Sequence, residues 1–195
     1  MQEKLITVET VSKDIQARNP GIDEKEALEH AEKACAHARQ LYATLAYIKR
    51  GADICLLLKE GVTDADLPFV RKPNSTRKFA LYRNDGKPIK TLDLWIDKAL
   101  EKFYRYQWWM IAPVFRLHEE LYDLDDKTVL PFLPLETCGD ALVPKQGGYS
   151  EVYPARIHPA HHRFWEGTGI PVSFICLIDI EGCADANRRM SHLWP

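Results

Sequence analysis

A run of alanines at helical spacing constrains this chain more than any other feature. Ala27, Ala31, Ala34 and Ala38 recur every three or four residues and lead into Leu41, Leu45 and Ile48. That spacing predicts one helix from Asp23 to about Ile48 with a small, apolar face. Asp23 and Glu26 have the separation of a capping box, and Gly51 stands where a left-handed C-cap belongs. An alanine face lets another helix approach closely, and Leu5, Val8, Val11 and Ile15 form a weaker stripe able to supply that neighbour. The chain therefore begins as helix packed on helix.

A second helix is expected from Leu92 to Met110, where Leu92, Trp95, Ile96, Ala99, Leu100, Phe103 and Trp108 repeat at helical spacing and Pro113 prevents continuation. Between the two, Thr63 and Asp66 predict one short helical turn. The stretch 72–87, rich in turn formers, reads as a loop or small hairpin closed by Asp85-Gly86. From Val114 to Glu166 the pattern changes to short β-like runs, among them 129–133 and Val152 to Ile157, with prolines that restrict them to short or edge strands. The expected fold class is α+β: a helical region over 1–112, a small β-hairpin within 113–166, and an irregular, divergent tail over 167–195.

Composition narrows the function classes. The 195 residues are 46% hydrophobic and carry 26 basic against 28 acidic side chains, which argues against a disordered chain and against a nucleic-acid binder driven by counterion release. The charged start has no apolar leader, and no apolar run approaches the ~20 residues of a membrane helix. Five cysteines without a C-x-x-C pair suit buried thiols in a reducing compartment, cytoplasmic or nuclear.

The chemistry-bearing stretch is Lys145-Gln146-Gly147-Gly148-Tyr149-Ser150-Glu151-Val152. Against the glycine-rich loop G-x-G-x-x-G-x-V, Gly147 falls on the second glycine, Ser150 on the third, Tyr149 at the loop tip and Val152 on the valine that covers an adenine. Lys145 replaces the first glycine. Such a loop needs small residues so that backbone can approach phosphates; the same residues also fit a Gly-Gly turn in an ordinary hairpin. Three other clusters have structural readings. His158, His161 and His162 read as structural or surface histidines rather than metal ligands. Asp123, Asp125 and Asp126 do not open a calcium loop, because Thr128 and Pro134 occupy the positions that need glycine and glutamate. Phe103, Tyr104, Tyr106, Trp108 and Trp109 read as a packed core with one exposed edge rather than a base-stacking platform.

The run 102–166 resembles a family of fungal protein-kinase-like proteins. The residues that carry the resemblance include Phe103-Tyr104, Ala112-Pro113-Val114-Phe115, Val129-Leu130-Pro131-Phe132, and above all the block from Gly147 to His162. In that family a helical N-terminal region precedes a serine/threonine-kinase-type catalytic domain. The resemblance implies a kinase N-lobe beginning near Pro131, its first two strands either side of Gly147-Gly148, and ATP with magnesium as the cofactor of full-length relatives.

The remaining kinase machinery has no counterpart in the residues present. After Lys145 there is no lysine to hold the α- and β-phosphates, no His-Arg-Asp or Asp-Phe-Gly occurs, and 43 residues follow Val152. The expected function is that of an N-terminal fragment of a kinase-like protein, a truncated pseudokinase with an incomplete glycine-rich loop of Gly147, Gly148, Tyr149, Ser150 and Val152. No catalytic or metal residue and no cofactor is expected for this chain. The tail after Glu166 is expected to be the product of truncation, a shifted frame or unspliced sequence. The alternatives are a helical module that binds a protein partner, with neither nucleic acid nor membrane involved, and a miscalled gene of a complete kinase.

Overall fold

A computed structural model describes residues 6–116, 124–133, 145–146, 151–163 and 175–179. The fold is α+β and mostly helical, and the chain divides into two compact units, Met1–Ile111 and Ala112–Pro195. The first unit contains α1 (Val8–Arg18), α2 (Glu24–His37), α3 (Arg39–Tyr47) and α4 (Ile54–Lys59). A hairpin of β1 (Val70–Lys72) and β2 (Ala80–Tyr82) follows, then α5 (Lys90–Asp93) and α6 (Asp97–Met110). Among the described residues no helix is long and apolar enough to cross a membrane.

The alanine face behaves as its spacing requires. Ala27, Ala31, Ala34 and Ala38 are completely buried, and α2 packs along α1, whose Val11 and Ile15 are equally inaccessible. The helix expected to run from Asp23 to Ile48 is instead two helices. It breaks at Ala38 (φ −143°, ψ 36°), where the N–H groups of Gln40 and Leu41 turn away from the preceding helix to the Asp64 carboxylate at 3.0 and 2.8 Å. Asp23 makes no side-chain cap, and Glu26 pairs with Lys59 at 2.9 Å instead.

Gly51 is likewise not a left-handed cap. Lys49 takes the positive φ (64°), and Gly51 opens a 3-10 turn, Gly51–Asp53. Glycine is required there by close approach: a Cβ would run into the Asp14 carboxylate, which accepts from Tyr42 Oη at 3.1 Å and Arg18 Nε at 2.7 Å. Gly51→Ala is expected to destabilise the first unit by about 1–2 kcal/mol, since Asp14 must leave one of these partners; urea unfolding measures it.

The second expected helix is also divided. Its first turn, α5, stops at Asp93, where the Arg77 guanidinium donates to the carbonyls of Leu92 (3.4 Å) and Asp93 (3.0 Å), and α6 starts at Asp97. α6 ends at Met110, short of Pro113. The turn at Thr63 forms as the spacing predicts, with Thr63 N–H donating to Asp66 at 2.8 Å. Asp85-Gly86 closes a small antiparallel turn as expected: Tyr82 bridges Pro88, Arg83 N–H donates to Lys87 C=O at 2.9 Å and Gly86 takes a positive φ (86°). The β1–β2 hairpin is a separate one, joined by residues 73–79.

In the second unit β5 (Glu151–Ile157) is the central strand. β3 (Phe132–Leu133) pairs with its C-terminal end and β4 (Lys145–Gln146) with its start, both antiparallel. β6 (Ile175–Asp179) pairs antiparallel with residues 152–156. Because Val152 and Arg156 each have partners on both sides, β3 and β4 share one edge of β5 and β6 takes the other. The segment whose sequence reads as an irregular tail thus contributes one strand, built from the apolar run Ile175-Cys176-Leu177-Ile178.

Candidate functional site

The register of β4 and β5 locates the glycine-rich stretch. Lys145 faces Val152 and Gln146 faces Glu151, so Gly147, Gly148, Tyr149 and Ser150 connect two paired antiparallel strands. These four residues lie outside the described residues, and Val152 is placed only by its backbone on β5. A four-residue connection that starts with two glycines brings no bulky side chain into its first half, the condition for close backbone approach to an anion.

Beyond β5 the chain enters the histidine cluster. His158 N–H donates to the Pro131 carbonyl at 2.8 Å, and the 3-10 turn Pro159–His161 follows. The Nδ1 of His158 accepts from Ala160 N–H at 3.1 Å, which leaves Nε2 to carry the proton of the neutral ring. Burial, and then the neighbouring His161, push the His158 pKa down and favour that neutral form. His161 Nδ1 lies 3.1 Å from the Pro113 carbonyl, an acceptor only, so this nitrogen donates. His162 and Phe115 form a parallel bridge, with Phe115 stacked on Phe132. The cluster pins the turn to 113–115; among the described residues no group of three or more His, Cys, Asp or Glu is placed to hold a metal ion. Asp125 accepts from the N–H of Lys127 at 2.8 Å, the work of a turn residue. Asp123 lies outside the described residues.

Neither Cys35 nor Cys55 offers a thiolate nucleophile. Burial pushes the Cys55 thiol up to about 11 and raises that of Cys35 as well, so both are protonated at neutral pH.

Two polar side chains that no sequence motif marks, buried Gln107 and half-buried Asp64, hold backbone. The Gln107 amide, fully buried, accepts from Phe69 N–H at 2.7 Å and donates to Phe69 C=O at 3.0 Å. Asp64 caps α3, as described above. No local pattern reveals either, because their partners lie 38 and 23–24 residues away.

The aromatic cluster of α6 divides between core and surface. Phe103 and Trp108 are buried, with Phe103 stacked on Phe69 at 5.0 Å, while Tyr104 and Tyr106 are half-buried. Trp109 is 40% exposed and joins Tyr106 and, from the end of α3, Tyr47, itself 50% exposed. The centroids are 4.6 Å apart for Tyr47–Tyr106, 5.1 Å for Tyr106–Trp109 and 5.7 Å for Tyr47–Trp109. The exposed edge agrees with the spacing of the cluster, while Tyr47 reaches it from a different helix. Compared with known protein families, curated proteins and solved structures, the chain finds no match in any of the three.

Proposed function

We propose that this chain is the N-terminal portion of an intracellular protein-kinase-like protein, with no phosphoryl transfer of its own. The observation that carries this reading is the antiparallel register of β4 and β5, which makes Gly147 to Ser150 the connection between two strands, as a glycine-rich loop requires. Any nucleotide contact would come from backbone N–H groups of that connection and from apolar Val152. Without an anchoring lysine after Lys145 and without an Asp-Phe-Gly metal acid, charge on the phosphates stays uncompensated. Calorimetric titration of the protein with magnesium ATP is therefore expected to show no binding in the micromolar range. Micromolar affinity abolished by Gly147→Val and Gly148→Val would overturn the expectation that the loop holds no nucleotide, and transfer of labelled phosphate from ATP by the purified protein would overturn the claim of inactivity. A reading frame past the Pro195 codon that encodes a Val-Ala-Ile-Lys-like strand and a catalytic loop would favour the complete kinase instead.

A second reading, a helical protein-interaction module, is favoured by the surface triad Tyr47, Tyr106 and Trp109. Large aromatic rings left at the surface of a unit that has its own core are characteristic of contact sites.

A further inference from the structure

We infer that the exposed face of α6, together with the end of α3, docks an acidic amphipathic peptide segment of a partner protein; this rests on the interaction-module reading. Lys98, Lys102, Arg105 and Trp109 stand at i, i+4, i+7 and i+11 of α6, so they form one stripe, and all four are exposed. The stripe spans about 16 Å of helix axis. Lys49, also exposed, follows Tyr47 at the end of α3.

The charges on this face are one-sided. α3 contains no acidic residue, and α6 has only Asp97 and Glu101, in its first and second turns. Glu101 is engaged by Arg71 at 3.4 Å. Among the described residues Lys49, Lys98, Lys102 and Arg105 form no ion pair. A basic row that ends in an aromatic cluster matches a segment with carboxylates along one side and an apolar anchor at one end. Single-stranded nucleic acid is the poorer fit. The three rings meet at interplanar angles of 64°, 81° and 53°, edges against faces, rather than offering parallel open faces to bases. The net charge of −2 also lacks the basic excess that usually accompanies nucleic-acid binding.

The test is fluorescence anisotropy of the full chain against four fluorescein-labelled probes. Three are helical peptides of identical Leu and Phe content whose remaining positions are Glu, Gln or Lys, and the fourth is oligo-dT. The Glu peptide is expected to bind best, and its affinity to fall about tenfold between low salt and physiological salt. The double variant K102E/R105E should weaken it at least about tenfold, and Trp109→Ala about three- to tenfold, with unchanged circular dichroism. If the Glu and Gln peptides bind alike and Trp109→Ala weakens both, the acidic preference is wrong while the interaction module stands. If no peptide binds, both are wrong. Tighter binding of oligo-dT than of the Glu peptide would overturn the proposal in favour of nucleic acid.

Discussion

Replacing Gln107 with leucine is expected to lower the unfolding free energy of the helical unit by about 3–4 kcal/mol. Leucine matches glutamine closely in volume, so little packing is lost and the effect isolates the two hydrogen bonds. Phe69 is 1% exposed and Gln107 not at all, so water cannot replace the missing amide. The Phe69 N–H and C=O would both be left unpaired, at roughly 1–3 kcal/mol each. Urea denaturation followed by far-ultraviolet circular dichroism measures the loss. A cost below about 1 kcal/mol would mean that the segment around Phe69 finds other partners and that Gln107 does not hold it.

Asp64→Ala is expected to cost about 2–3 kcal/mol at pH 7, because the N–H groups of Gln40 and Leu41 lose their acceptor at the start of α3. Its pH dependence runs opposite to that of an ordinary surface cap. Burial raises the Asp64 carboxyl above its usual value of 3.8, outweighing the backbone hydrogen bonds from Leu41 and Gln40 that favour its charged form. The folded protein therefore takes up this proton at a higher pH than the unfolded chain does. Relative to Asp64→Asn, which does not titrate, the wild type should gain stability as pH falls from neutral through the raised value and stop gaining below 3.8. Thermal unfolding of the pair at several pH values reads this slope, and a wild type that loses ground on acidification would contradict it.

Much of the helical region is legible in the sequence. The alanine spacing places the buried face of α2 correctly, and the aromatic spacing does the same for Phe103 and Trp108 on α6. The Thr63–Asp66 turn is legible because its cap lies three residues from its partner. The capping box expected at Asp23 fails for a complementary reason: Glu26 has a stronger alternative in Lys59, 33 residues away. At the candidate site, connectivity is legible and shape is not. A pair of glycines between β-like runs announces a turn, and β4 and β5 flank it, while the loop residues themselves fall outside the described structure. The proposed docking face is half legible. The row Lys98, Lys102, Arg105 and Trp109 follows helical spacing, but Tyr47 joins it only through the packing of α3 against α6.

Local periodicity by itself determined the longer helical stretches and most of the side chains they turn inward, since an apolar stripe depends only on repeats within a few residues; it did not announce α4, and Ile96, part of the expected stripe, is 69% exposed in the break between α5 and α6. Tertiary structure alone decided where those helices stop. The breaks at Ala38 and after Asp93 leave backbone groups without helical partners, and these are satisfied by Asp64 and Arg77 from 15 to 24 residues away. A helix end is stable wherever its unpaired N–H or C=O groups meet a partner, and that meeting is arranged by the fold.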